Sequence, residues 1–455
     1  MKALLTGFVC MLLDAIVAST LHAQVNVTTY HNDLNRTGQN LNETILTPAN
    51  VNYLKFGQLF QYAVDGDVYA QPLYLSGITI PGQGVHNVLF ICTAHNSVYA
   101  FDADSNTGTS GGLLWHVNLG PSAVTPNSIF GNRYGNYQDI VPEVGIIGTP
   151  TIDPATDTLY VDAFTNDSGT TYYHRIHALS IFDGTEKLGG PLLVQATFPG
   201  TGVASSGGVL NFATEYSNQR PALAFFNGQL YVTYAGYADT NPYHGWVLDF
   251  KTSPSLALAQ TWVSTPDSTT AQFGSNAGEG GIWMGGGGPC VDSTNSALYF
   301  EVGNGIYGNA TGGFTTPTEF GDSFVKLSGT SFPASGAQPL DWFTPYNQAS
   351  LQNGDSDLGA TAEGVSVERG DHWAGERREL IADAPHPFCH CRGILQGPQR
   401  TQLLEVTTRD ESPVAGALDH QGSRARRSVE CVLQLVHGVQ RDGIARVGAI
   451  DGEHR

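Results

Sequence analysis

Apolar and polar residues alternate in short runs of four to seven positions along most of this chain, and Gly, Asn or Asp residues separate the runs. Runs of this length that are rich in β-branched and aromatic residues predict β-strands rather than amphipathic helices. The runs form a unit that occurs four times between Tyr69 and Pro345. Each unit has a Pro-containing strand, an LY or VY strand, a third strand, and a closing strand that usually carries a Trp.

The repeat predicts an all-β fold in which each unit is one four-stranded antiparallel blade of a β-propeller. The units open at Pro72, Pro150, Pro221 and Pro289, where the first residue of a strand tolerates the loss of an N–H donor. These prolines are 78, 71 and 68 residues apart, more than the roughly 40 to 50 residues of common propeller repeats. We therefore expect long inserted loops.

The segment that starts at Phe56 resembles the closing strand of a further unit, whose first three strands are expected near the C-terminus to seal the sheet edge. From about Thr361 the composition changes, however: the tail has 12 Arg and no Lys, Asn or Tyr, and it shows no strand alternation. We expect an incomplete ring of about four blades followed by an aberrant tail from a frameshift or a joined sequence. A small α domain is the alternative.

The N-terminus has the layout of a secretory signal peptide, with Lys2, an apolar stretch from Ala3 to Leu21 and a small-residue site ending at Ala23. An uncleaved membrane anchor is the alternative, although Asp14 interrupts the apolar stretch. The predicted organisation is a signal peptide at 1–23, a propeller at 24–360 and the tail at 361–455. We expect a secreted or periplasmic protein with no membrane span after cleavage.

The formal charge is −20, and only nine Lys and Arg residues precede position 361, which argues against a nucleic-acid partner. Outside the signal peptide the Cys count is odd and does not predict a disulfide framework. Cys92 and Cys290 fall in strands and are expected to be small buried hydrophobic residues. A tail cluster of zinc-ligand residue types matches no standard finger spacing and contains His386, Cys389, His390 and Cys391.

The loops that precede the four opening prolines should converge near the propeller axis, because the first strand of every blade begins there. They supply three candidate catalytic or Ca²⁺-binding carboxylates, which are Asp67, Glu143 and Glu279. They also supply four candidate ligand-binding residues, which are Tyr69, Gln71, Arg220 and Trp283. The alternatives are solvated turn carboxylates, an Arg220 paired with Glu215, and a Trp283 that only packs between blades. His95 and His244 are further candidates for a base or a hydrogen-bonding role.

Several stretches resemble secreted bacterial proteins of the pyrroloquinoline-quinone (PQQ) repeat propeller class over residues 25–360. They are FGQLF at 56, VYAQPL at 68, SVYAFD at 97, GTPTID at 148, PYHGWV at 242, GIWMGG at 281 and GNG at 303. The quinoprotein alcohol and sugar dehydrogenases of this class hold PQQ and Ca²⁺ on the axis with a catalytic aspartate. The resemblance assigns neither that aspartate nor the calcium ligands to residues here, and the chain lacks the adjacent Cys pair of alcohol-oxidising members.

Three functions follow as expectations. The first is a secreted propeller that binds a small molecule, glycan or protein at its axial face. The second is a PQQ- and Ca²⁺-dependent oxidoreductase of alcohols or sugars. The third is an extracellular glycan hydrolase or lyase that uses two axial carboxylates, such as Asp67 with Glu143 or Glu279.

Overall fold

The structure is a computed structural model of the chain. It describes residues 25–43, 46, 49–52, 56–124, 139–169, 171–240, 242–269, 278–284, 287–309, 316–354 and 358, and the strands at 390–397, 400–407 and 432–438. The predicted signal peptide at 1–23 lies outside the described residues, as do most residues of the tail. Among the described residues, no helix is long and apolar enough to cross a membrane.

After the strand β1 (Phe56–Ala63), two antiparallel sheets of the same design follow each other along the chain. The first contains β2 (Leu73–Ile80), β3 (Gly84–Cys92), β4 (Ser97–Asp102) and β5 (Leu113–Asn118). A ribbon is formed by β6 (Ala123–Val124) and β7 (Glu143–Val144). The second sheet contains β8 (Thr151–Asp153), β9 (Thr158–Asn166), β10 (Tyr172–Ser180) and β11 (Leu192–Leu193).

A small sheet precedes the third blade and contains β12 (Thr197–Pro199), β13 (Ser205–Ser206) and β14 (Val209–Asn211). A 3₁₀ helix (Thr214–Tyr216) leads into the third sheet, which contains β15 (Ser217–Asn218), β16 (Ala224–Phe226), β17 (Gln229–Gly236), β18 (Trp246–Lys251) and β19 (Ala257–Val263). Both β15 and β16 pair with β17 in this blade.

The fourth sheet contains β20 (Cys290–Asp292), β21 (Ala297–Val302), β24 (Ser323–Ser328) and β25 (Asp341–Phe343). Its insertion is a ribbon of β22 (Tyr307–Gly308) and β23 (Glu319–Phe320). A helix α1 (Gln348–Gly354) follows, and then β26 (His390–Gly397), β27 (Arg400–Thr407) and β28 (Val432–Gly438).

The sheets are arranged as the blades of a propeller. The first strand of the second blade, β8, contacts the first strand of the third, β16, which in turn contacts β20 of the fourth. These innermost strands therefore meet at the hub. The predicted all-β propeller of four-stranded antiparallel blades is confirmed. Among the described residues, no strand pairing joins the fourth blade to the sheet of β1, so the ring is not closed in this way.

Two of the closing-strand tryptophans pack one blade against the next. The indole N–H of Trp115 in β5 donates a 3.0 Å hydrogen bond to the carbonyl of Ile181 in the second blade. Trp262 in β19 packs against Phe300 in β21 of the fourth blade, with ring centroids 5.6 Å apart. The recurrence of Trp in the closing strands therefore has a packing cause, since a large aromatic side chain fills the wedge between two blades.

The tail contains the three strands that complete the sheet of β1. The strand order is β1-β28-β27-β26, and β1 pairs antiparallel with β28 from Phe56 to Gly438 at one end and from Ala63 to Val432 at the other. The position agrees with the three partners that β1 requires, although the tail sequence gave no strand signal. Pairing through the backbone does not require an alternating side-chain pattern. The origin of the tail and the domain boundaries stay predictions.

A segment before β1, here called the hub segment (residues 25–38), lies against the first strands of all four blades. Val27 forms an isolated antiparallel bridge with Tyr74 of β2. The side chain of Arg36 is buried and reaches the carbonyl oxygens of Leu223 and Pro289, which border β16 and β20. The hub segment, whose sequence has no strand or helix periodicity, thus lies at the centre of the blades.

Candidate functional site

The loops that precede the first strands, here called the axial loops (residues 64–72, 143–150, 214–223, 278–284 and 287–289), contact one another in blade order. The backbone N–H of Gln71 donates to Oγ1 of Thr149 at 2.9 Å, and the N–H of Leu223 donates to the carbonyl of Thr149 at 2.9 Å. The N–H of Ala222 reaches the carbonyl of Gly287 at 2.5 Å. Residues more than 200 positions apart are therefore brought to one end of the hub.

One close approach between the axial loops requires glycine. A Cβ atom on Gly148 would lie 2.2 Å from Oε1 of Gln219 and 2.5 Å from the carbonyl oxygen of Pro221. Contacts that short force either the side chain or the backbone of the third loop to move. Gly148 therefore lets the second and third axial loops meet directly.

Four buried polar atoms in the axial loops have no hydrogen-bond partner within the described residues. They are Nε2 of Gln71, Oδ1 of Asn218, Oε1 of Gln219 and Nε1 of Trp283, on residues that are 2%, 3%, 4% and 9% exposed. A buried polar group without a partner costs about 1–3 kcal/mol, so such groups are rare unless water or a ligand completes them. Two donors and two acceptors, all uncharged, are thus left without a partner in the described part of the axial loops.

Trp283 and Tyr69 are aromatic residues of the axial loops that pack against their neighbours. Trp283 packs edge-to-face against Tyr243, with ring centroids 6.1 Å apart, and also lies against Ala235 and Tyr216. Tyr69 is half-buried against the apolar cluster around Phe164. Trp283 therefore has the packing role that the alternative described, and its indole N–H is left without an acceptor among the described residues.

Asp67 and Glu143 lie in one cluster with His95. Glu143 accepts hydrogen bonds from Nδ1 of His95 at 2.9 Å and from the Ser122 hydroxyl. Asp67 is 7% exposed, and no hydrogen bond to its carboxylate is found among the described residues. Burial, assisted by the negative charge of Glu143, raises the pKa of Asp67 to about 6. The hydrogen bond to Glu143 raises the pKa of His95.

The cluster therefore contains a carboxyl group that exchanges a proton near neutral pH, the range in which general acids and bases work best. Neighbouring Asp65 differs, because it accepts hydrogen bonds from the hydroxyls of Thr93 at 3.0 Å and Ser97 at 2.7 Å. Of the two residues, Asp67 is the one that the protein leaves available for chemistry.

Glu279 belongs to a different cluster. It is buried at a positive φ of 61°, its carboxylate accepts a hydrogen bond from Nε2 of Gln352 in α1, and its backbone carbonyl accepts one from Oγ1 of Thr265 at 2.8 Å. Nearby His244 lies within hydrogen-bonding distance of Thr265 and the carbonyl of Val203, and burial lowers its pKa to about 4. No contact between Glu279 and Asp67 is present among the described residues. His244 is a buried hydrogen-bonding residue rather than a base.

Arg220 is exposed, and no ion pair or hydrogen bond of its guanidinium group is found among the described residues. The alternative interpretation, an ion pair between Arg220 and Glu215, is thus wrong for this structure. Glu215 instead lines an open cleft of about 340 Å³ with residues of the second and third blades, which are Thr171, Tyr172, Ala213, Thr214, Tyr216 and Pro242. Tyr216 connects this cleft to the packing around Trp283.

The described residues do not provide a metal centre. No group of three or more His, Cys, Asp or Glu side chains among them is arranged to hold an ion. Cys92 and Cys290 are buried free thiols, as expected from their strand positions. Of the tail residues with zinc-ligand chemistry, His386 and Cys389 lie outside the described residues.

Sequence reasoning missed a buried network next to the third axial loop. In it, Nδ1 of His174 contacts Asp162 at 2.6 Å, Nε2 contacts the carbonyl of Ser217 at 2.8 Å, and the Tyr234 hydroxyl donates to Asp162 at 2.6 Å. Both ring nitrogens of His174 face acceptors, which fixes the position of Ser217 and of the loop that follows. A single Asp inside the apolar run of β9 was the available signal.

Comparisons with known proteins add the following. No protein-family model matches the chain, and no curated protein sequence matches it. Among solved structures it is similar to the quinohemoprotein alcohol dehydrogenase ADHIIG from Pseudomonas putida HK5, at 13% identity and a TM-score of 0.43, over 70% of this chain and 40% of that one. It is also similar to a europium-containing methanol dehydrogenase, at 13% identity and a TM-score of 0.41, over 70% of this chain and 49% of that one. The chain thus spans less than half the length of either dehydrogenase.

Proposed function

We propose that this chain is an exported β-propeller protein that binds a neutral, hydrogen-bonding small molecule or glycan at its axial face. The observation that carries the proposal is the set of unpartnered atoms on Gln71, Gln219 and Trp283. These amide and indole groups are uncharged, so they suit hydroxyl or amide groups better than a charged ligand. Export rests on the predicted signal peptide.

Site variants test this proposal. Gln219→Met removes the unpaired carbonyl, and Trp283→Phe removes the unpaired N–H while keeping an aromatic ring. Each is expected to weaken binding about tenfold, since the loss of one hydrogen bond costs about 1.4 kcal/mol. Saturation-transfer NMR and calorimetry with glucose, inositol, glycerol and cello-oligosaccharides measure the binding.

Gln338→Met is the matched control. Oε1 of Gln338 is also buried without a partner among the described residues, but its Nε2 donates to the carbonyl of Pro317, outside the axial loops. This variant should bind like the unchanged protein. The proposal fails if none of the probes binds and native mass spectrometry finds no co-purified neutral ligand, or if both axial variants bind normally.

The second candidate is an oxidoreductase of alcohols or sugars. It is favoured by Asp67, whose buried carboxyl accepts no hydrogen bond among the described residues and is suited to take a proton from a bound hydroxyl group. PQQ and Ca²⁺ enter only as added reagents, because no group of three or more metal-binding His, Cys, Asp or Glu side chains is present among the described residues. Dye reduction by ethanol or glucose in the presence of PQQ and Ca²⁺, abolished in Asp67→Asn, would favour this candidate over simple binding.

A further inference from the structure

The hub segment uses the same position of every repeat. That position is the second residue after the opening proline, and its occupants are Tyr74, Ile152, Leu223 and Val291. In the first blade, the N–H of Val27 donates to the carbonyl of Tyr74 at 2.8 Å, and the N–H of Tyr74 donates back at 2.9 Å. The segment therefore extends the edge of the innermost strand.

At this position of the repeat, each of the other blades forms one hydrogen bond with the segment. The N–H of Ile152 donates to the carbonyl of Thr28 at 2.8 Å, and the N–H of Val291 donates to the carbonyl of Leu34 at 2.8 Å. At the third blade the roles reverse, since the carbonyl of Leu223 accepts from Arg36 at 3.0 Å. Five backbone groups, all at the same position of the repeat, are thus satisfied by one short segment.

Arg36 connects three separate parts of the chain. Besides Leu223, its guanidinium group donates to the carbonyl of Pro289 at 3.2 Å, to the carbonyl of Tyr30 at 3.0 Å and to Oγ1 of Thr29 at 2.6 Å. The residue is 2% exposed and forms no ion pair with a carboxylate among the described residues. Carbonyl oxygens therefore compensate a buried cation, and the fixed fork of five donors is needed to reach them together.

We propose that the inner edges of the four blades form a peptide-binding surface whose occupant is the hub segment of the same chain, with Arg36 as the residue that fixes the third and fourth blades to it. The segment binds by strand addition and backbone hydrogen bonds. It is held by these contacts and not by its covalent connection to β1.

Cleavage of the full chain tests this proposal. A site for a specific protease is inserted after Leu41, which is 86% exposed, and the folded protein is cut. The peptide that contains the hub segment should co-elute with the blades on size exclusion and separate only in denaturant. Separation in native buffer would overturn the proposal.

Arg36→Met tests the fixing residue in the uncut and the cut chain. It leaves three carbonyl groups without a donor, so the Tm of the uncut chain should fall by at least about 5 °C, and the peptide should dissociate after cleavage. Arg175→Met is the matched control, because Arg175 makes a partly exposed ion pair with Asp167. Its Tm should change by less than about 2 °C.

Equal Tm changes in the two arginine variants would contradict the role of Arg36. If Arg36→Met does not fold, Arg36→Lys is used instead, since it keeps the charge but loses the fork. The lysine variant should release the peptide faster after cleavage than the unchanged sequence, and equal retention would overturn the assignment.

Discussion

At the scale of single residues, the surroundings of a carboxyl group decide its chemistry more than its sequence does. Asp65 and Asp67 are two positions apart, yet the first accepts two hydroxyl hydrogen bonds and the second is buried without a donor among the described residues. Glu319 is a third case, buried with one oxygen that has no partner there. Replacing Asp65 or Asp67 by the uncharged Asn should therefore change the stability of the protein in opposite directions.

Asp67→Asn should increase the free energy of unfolding at pH 7.5. The folded state holds the Asp67 proton up to a pKa of about 6, above the unfolded value of about 3.9. The contribution of Asp67 to the free energy of unfolding is therefore fully present below pH 4 and is lost as the pH rises through 6. Urea unfolding at pH 4 and 7.5 should show the gain only at the higher pH. Asp65→Asn should lower stability at pH 7.5, and equal effects of the two changes would contradict this assignment.

Glu319→Gln should remove a second pH dependence. Burial raises the pKa of Glu319 to about 8, with a further rise from the charge of Asp267, although Oε1 accepts a hydrogen bond from the Asp267 N–H at 3.0 Å. The group's stabilising contribution is thus lost between about pH 4.5 and 8. Thermal melting from pH 5 to 9 should show a smaller loss in the variant than in the unchanged protein. Parallel curves would rule out a protonated Glu319.

At the scale of elements, hydrogen bonds between blades are made by side chains in the middle of strands. Tyr234 in β17 donates to buried Asp162 in β9, and Tyr231 in the same strand donates to the carbonyl of Gly329 at 2.6 Å. The two hydroxyls differ mainly in the charge of the acceptor. They offer a matched pair of identical substitutions within one strand.

Tyr234→Phe should cost more stability than Tyr231→Phe. We expect about 1.5–3 kcal/mol for the bond to a carboxylate and about 0.5–1.5 kcal/mol for the bond to a neutral carbonyl. Urea unfolding of both variants at pH 7 measures the difference. The reverse order would contradict a stronger hydrogen bond to Asp162 than to the carbonyl of Gly329.

The elements also show what the sequence predicts and what it does not. The stretch SVYAFD at 97 has the β-branched and aromatic residues of a strand between turn residues, and the structure has a strand at Ser97–Asp102. The hub segment is not predicted by the sequence pattern, because Val27, Thr28 and Leu34 contact the blades through backbone groups, which leave no periodic pattern. Arg36 and Arg220 are both among the few basic residues before position 361. That scarcity does not show which of the two is buried and which is exposed. The unpaired atoms of Gln71 and Trp283 depend on packing, which spacing does not encode.

At the scale of the whole molecule, β1 depends on strands that lie more than 300 residues away. A chain that ends after Gly354 loses β26 to β28 and leaves the N–H and C=O groups of β1 unpaired. Exposed strand edges associate with one another. The truncated chain should therefore dimerise or aggregate as its concentration rises, whereas the full chain should not.

Light scattering across a concentration series checks this expectation, and a charge on the strand is the matched control. Leu59→Lys places a positive charge on β1 at a residue that is 37% exposed. It should reduce association of the truncated chain, because edge lysines oppose strand pairing. A truncated chain that stays monomeric without the lysine would contradict the pairing of β1 with the tail.

The hub segment imposes an order on biosynthesis. Arg36 emerges from the ribosome early, but its acceptor at Pro289 is 253 residues downstream. The first residues must therefore wait in an unfinished state while the intervening blades are translated, which takes roughly 10 to 50 seconds at 5–20 residues per second. Contacts of such large sequence separation also slow folding. Assembly of this ring is thus expected to finish after translation of the fourth blade rather than blade by blade.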